Sequence, residues 1–480
     1  MKLHLLSLFV FFFLSINVFS TKISGNTFKP FVGKTVNLIE YTDYITLNYN
    51  VLQTTKVDSL GNFFFDYEIN ETQQAIIQIE YLIGIIYLDP NQEYSIKFPP
   101  KSEDGTYKLT RNNVNIIFDS IPMNDINGLV LEFDRLYDQF LQDNRYNVGK
   151  SIFHVQLDTF KTSVQNQFKG VKNSYFKNYV RYSIADLELV TPSSHLKVNK
   201  LGLYNTHIIN KKINTKHHAQ MRFLLNFYEK TLNNQIGKVG SKITAILQVK
   251  PSYIALDTLL EKDYFFKMKS IRELVIAENL YSLYYNQNYS PIVILDLLKE
   301  AKEKGINEEI SVITNEIIKN ITKLIPGTTP TLIKLLNQKR EIISTSDFAG
   351  KYVYINFWAQ WNKDSQAEMD VFTRLQEEYG EIIEFVSINI DASYKKYESY
   401  CASHPNYDWN MLYYGGNSNL LDEFNIYAIP HYVLLDKEGK IIHAPAAKPI
   451  PNGQNISIEM LFHDLKKKES KPRTFRIGTK

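Results

Sequence analysis

Cysteine is almost missing from this chain: one residue, Cys401, among 480. A single thiol excludes any disulfide within the molecule. It also excludes every mechanism in which two thiols of one chain are oxidised together. An excess of charge of one sign is missing too. Lys and Arg number 54 and Asp and Glu 51, a net charge of +3, which gives no reason to expect nucleic acid or a strongly acidic partner. Beyond the first twenty residues no apolar run is long enough to cross a bilayer. Hydrophobic content of 44% and charged content of 22% are those of an ordinary globular protein. At 480 residues the length prior is roughly three domains.

Residues 1–20 read as an export signal. Lys2 supplies the positive start, Leu5 to Leu14 the apolar core, and Val18-Phe19-Ser20 the cleavage positions, so cutting is expected before Thr21. The alternative is an uncleaved anchor. No cysteine follows the apolar run, which excludes a bacterial lipoprotein anchor. After cleavage no membrane span is expected.

Residues 21–120 alternate and are punctuated by turns, as in Asp58-Ser59-Leu60-Gly61-Asn62 before Phe63 and Asp89-Pro90-Asn91-Gln92 before Tyr94, which predicts a small all-β sandwich without a catalytic cluster. Residues 121–325 turn helical. Leu129, Phe133, Leu136 and Phe140 fall at helical spacing, as do Phe153, Leu157, Phe160, Val164 and Phe168, and later Ile271, Leu274, Ala277 and Tyr281. Such stripes are read as bundle core rather than a ligand groove. Between the helices, Thr191 to Gln220 is basic and holds His195, His207, His217 and His218. The segment has no Asp, Glu or Cys and no His pair at i, i+4, so a solvated basic loop is expected and no metal site. No cofactor is implied anywhere in the chain.

The stretch that organises the remainder is Tyr352 to Asp370, YVYINFWAQWNKDSQAEMD. The run Tyr352 to Phe357 predicts a buried strand, and Phe372, Leu375 and Tyr379 one face of the helix that follows. Around it stand Phe348-Ala349-Gly350-Lys351, a second strand from Ile383 to Ile390, and Tyr427-Ala428-Ile429-Pro430-His431 before the strand Tyr432 to Leu435. Asp436 to Lys440 predicts a hairpin turn, Ile441 to His443 a last strand and Ile456 to Lys467 a closing helix. In this order the words F-x-G-K, NFWAxW, AEM, I-P and D-x-x-G resemble the TlpA/ResA-like thioredoxin family. The resemblance covers residues 326–470 and implies an α/β thioredoxin-like domain there, closed by a basic tail, 471–480. The tail is read as a solvated end, with contact to an anionic surface as the other reading. The words Asp58-x-x-Gly61-x-Phe63 and Leu88-Asp89-Pro90 also resemble the β-domain that precedes such domains in exported proteins of Bacteroidetes type.

Where that family carries Cys-x-x-Cys, this chain has Asn362-Lys363-Asp364-Ser365. An amide is no nucleophile and a serine hydroxyl needs a base, so dithiol exchange is not expected and no residue is assigned as catalytic. Asn362, Asp364 and Ser365 are good helix-capping residues, so the loop also reads as a repaired helix start. Asp370 replaces the proline that commonly kinks the family's helix, and a straighter helix is expected. The resemblance implies that Pro430 is cis and faces this loop. It further implies that Ile429 offers backbone hydrogen bonds to an extended peptide, with Trp358, Trp361 and Pro430 as apolar groove. Cys401 is read as a core thiol on a helix from Tyr394 to His404, with an exposed, reactive thiol as the alternative. Three readings stay open: a redox-inactive protein- or peptide-binding module, a family oxidoreductase acting through Cys401 alone, and a structural subunit. Export and the resemblance together place the chain in the periplasm or cell envelope of a Gram-negative bacterium, with an unknown exported protein or peptide as partner.

Overall fold

A computed structural model describes residues 20–469, apart from 28–30, 81, 100–111, 123, 190–195, 234–236, 287, 392, 416–417, 427 and 451–456. The expected export signal (all but Ser20), His195, Tyr427 and the basic tail lie outside the described residues.

The N-terminal part holds β1 (Ser20–Asn26), β2 (Thr35–Tyr41), β3 (Tyr49–Lys56), β4 (Asn62–Glu68), β5 (Gln73–Ile79), β6 (Leu82–Leu88), β7 (Glu93–Lys97), β8 (Asn112–Val114) and β9 (Ile117–Phe118). They make a four-stranded sheet in the order β4-β1-β7-β9 and a five-stranded sheet in the order β3-β2-β5-β6-β8. Period-two burial assigns the faces. Thr21 and Ile23 of β1 turn inward and Lys22 and Ser24 outward, and Phe63 and Phe65 of β4 are buried while Phe64 between them is exposed. Ile23, Leu38, Phe65, Ile77, Ile96 and Phe98 from the two sheets share one core. The turn into β4 is built by Asp58, whose Oδ1 accepts from the Leu60 and Asn62 N–H groups at 2.8 and 2.7 Å, and by Gly61 at φ +89°. β5 and β6 are buried along almost their whole length, and Tyr87 of β6 belongs to the helical core.

The middle of the chain is helical: α1 (Ile126–Asn144), α2 (Ser151–Gln167), α3 (Ser174–Leu189), α4 (Leu196–Leu203), α5 (His218–Phe227), α6 (Gly237–Gln248), α7 (Tyr253–Leu260), α8 (Lys269–Tyr284), α9 (Pro291–Lys304) and α10 (Glu308–Thr322). The side chains of Asp125, Ser252 and Asn307 cap α1, α7 and α10, satisfying N–H groups that have no partner inside the helix. The aromatic stripes are core, as their spacing predicts: Leu129, Phe133, Phe140, Phe153 and Leu157 are all buried.

The stretch expected to be a solvated basic loop is different. It carries α4, one π-helical turn at Tyr204–Ile208 and the start of α5, with Leu203, Tyr204 and Ile208 buried. His217 is 1% exposed and stacks on Tyr175 with ring centroids 4.2 Å apart. Its Nε2 lies 3.1 Å from the Tyr175 carbonyl, and its Nδ1 accepts from the Gln220 N–H at 3.4 Å as the cap of α5. His218 is boxed by rings, at 5.1 Å from Tyr179 and 6.2 Å from Tyr87. Aromatic burial, not solvent, claims these histidines.

The C-terminal part comprises β10 (Lys334–Asn337), β11 (Ile342–Ser344), β12 (Tyr352–Trp358), α11 (Lys363–Tyr379), β13 (Ile383–Asn389), α12 (Tyr394–Ser403), β14 (Asn410–Tyr413), α13 (Ser418–Glu423), β15 (His431–Leu435), β16 (Ile441–His443) and α14 (Ile458–Glu469). The sheet order is β11-β10-β14-β13-β12-β15-β16. β12 runs parallel to β13 and antiparallel to β15, so it is central and all seven of its residues are buried. α11 follows β12 after a short loop, and its Met369, Phe372 and Leu375 are fully buried. Asp370 accepts the Tyr407 hydroxyl at 2.6 Å where the family's proline would stand, and α11 runs unbroken over 17 residues.

Candidate functional site

The loop from β12 to α11 is held from both sides. The Gln360 N–H donates to Asp391 Oδ2 at 2.9 Å, and Gln360 Nε2 to the Lys396 carbonyl at 2.6 Å. Gln366 Nε2 closes the loop by donating to the Gln360 carbonyl at 2.6 Å. Asn362 does two things at once. Its Oδ1 accepts from the Ser365 N–H at 2.8 Å and caps α11; its Nδ2 donates to the Ile429 carbonyl at 3.3 Å. The Ile429–Pro430 peptide is cis, so the loop and the segment before β15 meet at this amide. Lys363 and Asp364 are exposed, whereas Ser365 is fully buried.

Ser365 Oγ has no hydrogen-bond partner among the described residues. No base is therefore placed to activate it, and a buried hydroxyl in this state is not a nucleophile. The same face of the sheet carries further polar groups that the sequence reading missed. Asn356 on β12 is fully buried with both amide atoms unpartnered among the described residues. Glu368, one turn along α11 from Ser365 and 5% exposed, accepts the Tyr432 hydroxyl and the Lys448 ammonium, the latter at 3.2 Å. The available signal was a Glu on the apolar face of a helix, between Ser365 and Phe372. His431, next to Pro430, is pushed down to about 4 by burial and stays neutral near pH 7.

The expected groove is assembled only in part. Trp361 is 45% exposed, and Ile429 and Pro430 are half-buried beside Asn362. Trp358 is not available to a ligand, in contrast to the sequence expectation. It is 0% exposed and packs on Tyr400 with centroids 4.9 Å apart, because the central strand buries both its faces. The Ile429 carbonyl is already taken by Asn362. Among the described residues the Ile429 N–H has no acceptor. Cys401 lies on α12, buried, and burial pushes its thiol up to about 11, so the thiolate that redox chemistry needs is suppressed. This burial weighs against the exposed, reactive thiol. Among the described residues no three His, Cys, Asp or Glu side chains gather as a metal site would require. No described helix is long and apolar enough to cross a membrane.

Comparison with known proteins finds relatives of the C-terminal part of the chain. Residues 350–441 match the model of a thioredoxin-like family. The thioredoxin-like protein YneN of Bacillus subtilis (strain 168) is 30% identical over 98 residues, which are 20% of this chain and 58% of that protein. The thiol-disulfide oxidoreductase ResA of Bacillus thuringiensis subsp. konkukian is 27% identical over 101 residues, 21% of this chain and 57% of that protein. The chain thus spans somewhat more than half the length of these relatives. Among solved structures, a thiol-disulfide oxidoreductase from Bacteroides fragilis aligns with a TM-score of 0.25 and 25% identity, over 29% of this chain and 98% of that one. The C-terminal part of the chain is a thioredoxin-like domain with homology to TlpA/ResA-type thiol-disulfide oxidoreductases.

Proposed function

We propose that this chain is an exported thioredoxin-fold protein without dithiol chemistry, which holds an extended protein or peptide segment of the cell envelope in the cleft beside Trp361 and Pro430. The observation that carries the reading is Asn362. It occupies a position where the resembling family has a thiol, and it serves there as a helix cap and a tie to Ile429. With Ser365 buried and unactivated at the other position, the loop keeps its shape and loses its reactivity. Recognition remains open to it. Trp361 presents an exposed ring and the Ile429 N–H a donor without an acceptor among the described residues, which is what main-chain pairing with a strand-like segment uses. The β part and the helices then serve as the stem that carries this cleft, and the apolar start of the chain supports export. The activity in the name of the ResA relative needs two thiols, which this chain does not have.

Two measurements test the proposal. In dithiothreitol-driven insulin reduction, the protein and its Cys401→Ser variant should both run at the uncatalysed rate. A Cys401-dependent rate above it would sink the redox-silent part. In capture from envelope extract, mature protein is compared with a folded Trp361→Ala, Pro430→Thr variant. Specific partners should be lost from the variant; identical sets on both baits would rule out the cleft as the binding site.

A further inference from the structure

The basic residues between the π-helical turn and α5 have no part in the thioredoxin-like site. They wall a separate cavity of 570 Å³, bounded on its other side by α3. Arg181, Tyr182, Lys211, Lys212, Lys216 and Gln220 line it.

Two of its inner groups are donors without an acceptor among the described residues, the Tyr182 hydroxyl and one Arg181 nitrogen. Gln220 Nε2 donates to the Tyr182 hydroxyl oxygen at 2.9 Å and to the Lys212 carbonyl at 3.0 Å, while Oε1 accepts from the Asn214 N–H at 2.9 Å. That network fixes the orientation of the amide, so Tyr182 accepts from Gln220 and its own proton has no acceptor among the described residues. Tyr182 is 3% exposed, and a buried hydroxyl left without an acceptor is costly. Arg181 is held by its Nε donating to His207 Nδ1 at 3.1 Å and its Nη2 to the Thr206 carbonyl. Its Nη1 has no partner among the described residues.

Charge points the same way. Lys216 is paired with Glu40 at 3.1 Å and Lys212 with Glu309 at 3.7 Å, and Glu309 also accepts the Thr215 hydroxyl at 3.0 Å. Arg181 and Lys211 then face a single further carboxylate in the lining, the exposed Glu71. The neighbouring His207 is pushed down to about 4 by burial and then by the charges of Arg181, Lys161 and Lys211.

From this donor-lined basic cavity we infer a binding site for a small tetrahedral oxyanion, a phosphate or sulfate group, free or on a small ester, held by Arg181, Lys211 and the Tyr182 hydroxyl. The guanidinium fork and the hydroxyl supply directed donors to the anion's oxygens, and Lys211 supplies a mobile point charge at the mouth. The class is distinct from the extended peptide proposed for the thioredoxin-like cleft, and the two readings stand or fall separately.

The test is calorimetric titration of the full chain with sodium phosphate and with sodium sulfate at low ionic strength. Saturable one-site heat is expected for both. Tyr182→Phe removes only the hydroxyl and should weaken binding about tenfold, and Lys211→Gln should weaken it several-fold. Lys339→Gln, at an exposed lysine of the thioredoxin-like domain, should leave it unchanged. Absence of saturable heat overturns the inference. So does equal weakening by Lys339→Gln and Lys211→Gln, which would mean general charge screening, or an unchanged affinity in both Tyr182→Phe and Lys211→Gln.

Discussion

Asn362 carries two contacts that substitution can separate. Replacing it with Ala removes the cap on Ser365 N–H and the tie to the Ile429 carbonyl together. Loss of such a cap costs about 1 kcal/mol, read as a lower urea midpoint at unchanged slope. Asn362→Asp keeps a capping oxygen and removes the amide donor, so its stability should stay within about 0.5 kcal/mol of the parent, since Asp and Asn cap comparably. Both variants free the Ile429 carbonyl, and both should bind an extended peptide more tightly than the parent if the cleft pairs with main chain. A parent-like affinity in both variants would show that the Ile429 carbonyl does not take part. The cap itself was legible in the sequence, because Asn followed by Ser at the third helical position is a local signal. The partner of Nδ2 was not, because Ile429 lies 67 residues away and reaches the loop only through the pairing of β12 with β15.

α5 shows how an element's surroundings can escape sequence reading. Its start, His217-His218, stands in a basic, acid-free segment, which by composition belongs in water. The groups that bury it are Tyr175 and Tyr179 on α3 and Tyr87 on β6, none of them near in sequence. β12, by contrast, was legible as a continuous apolar run, since a fully buried central strand needs no partner to announce it. The burial of α5 has a consequence for pH. His218 is lowered from its ordinary 6.5 to about 3 by burial first, then by the His217 and Arg222 charges. A histidine depressed in the fold takes its proton more readily when unfolded, so its stabilisation is complete above pH 6.5 and is lost as pH falls toward 3. Asp134, held by the Tyr179 hydroxyl and raised to about 6 by burial, acts in the opposite sense: its contribution is present below pH 3.8 and fades as pH rises through 6. The His218→Phe variant isolates the histidine, since it keeps a ring against Tyr179 and Tyr87 and cannot titrate. Between pH 7 and 4.5 it should lose about 1–2 kcal/mol less stability than the parent. Equal losses in urea unfolding at the two pH values would show that His218 does not titrate with folding.

At the scale of the whole molecule, the cores decide what can stand alone. Tyr87 of β6 sits in the helical core, and Asn127 of α1 bonds both sides of its backbone, Oδ1 accepting the Tyr87 N–H and Nδ2 donating to its carbonyl, each at 2.8 Å. Lys216–Glu40 at 3.1 Å and Asn48–Glu316 at 3.1 Å add further ties between the β part and the helical part. The thioredoxin-like core runs from Ile333 to Phe462 and, among the described residues, takes in only Leu324, partly buried, from before residue 326. Its links to the rest include Lys323 Nζ donating to the Asp422 carbonyl at 2.8 Å and the Tyr49 hydroxyl donating to Asn419. With the proposed boundary at 325, a fragment of residues 326–470 should therefore fold by itself with a sigmoidal urea transition. Residues 21–325 should unfold as one cooperative unit, and residues 21–120 alone should not hold a fold, because Tyr87 and its sheet face would be stripped of their cover. In the full chain, Asn127→Ala leaves the Tyr87 N–H and carbonyl buried and unpaired, which costs about 2 kcal/mol or more. That loss should appear in the transition of 21–325 and leave the transition of 326–470 in place. A separate, stable transition for 21–120, or a shift of both transitions by Asn127→Ala, would mean that the cores are divided differently. Retention of the 326–470 transition would mean that the cleft is carried by the stem without depending on it.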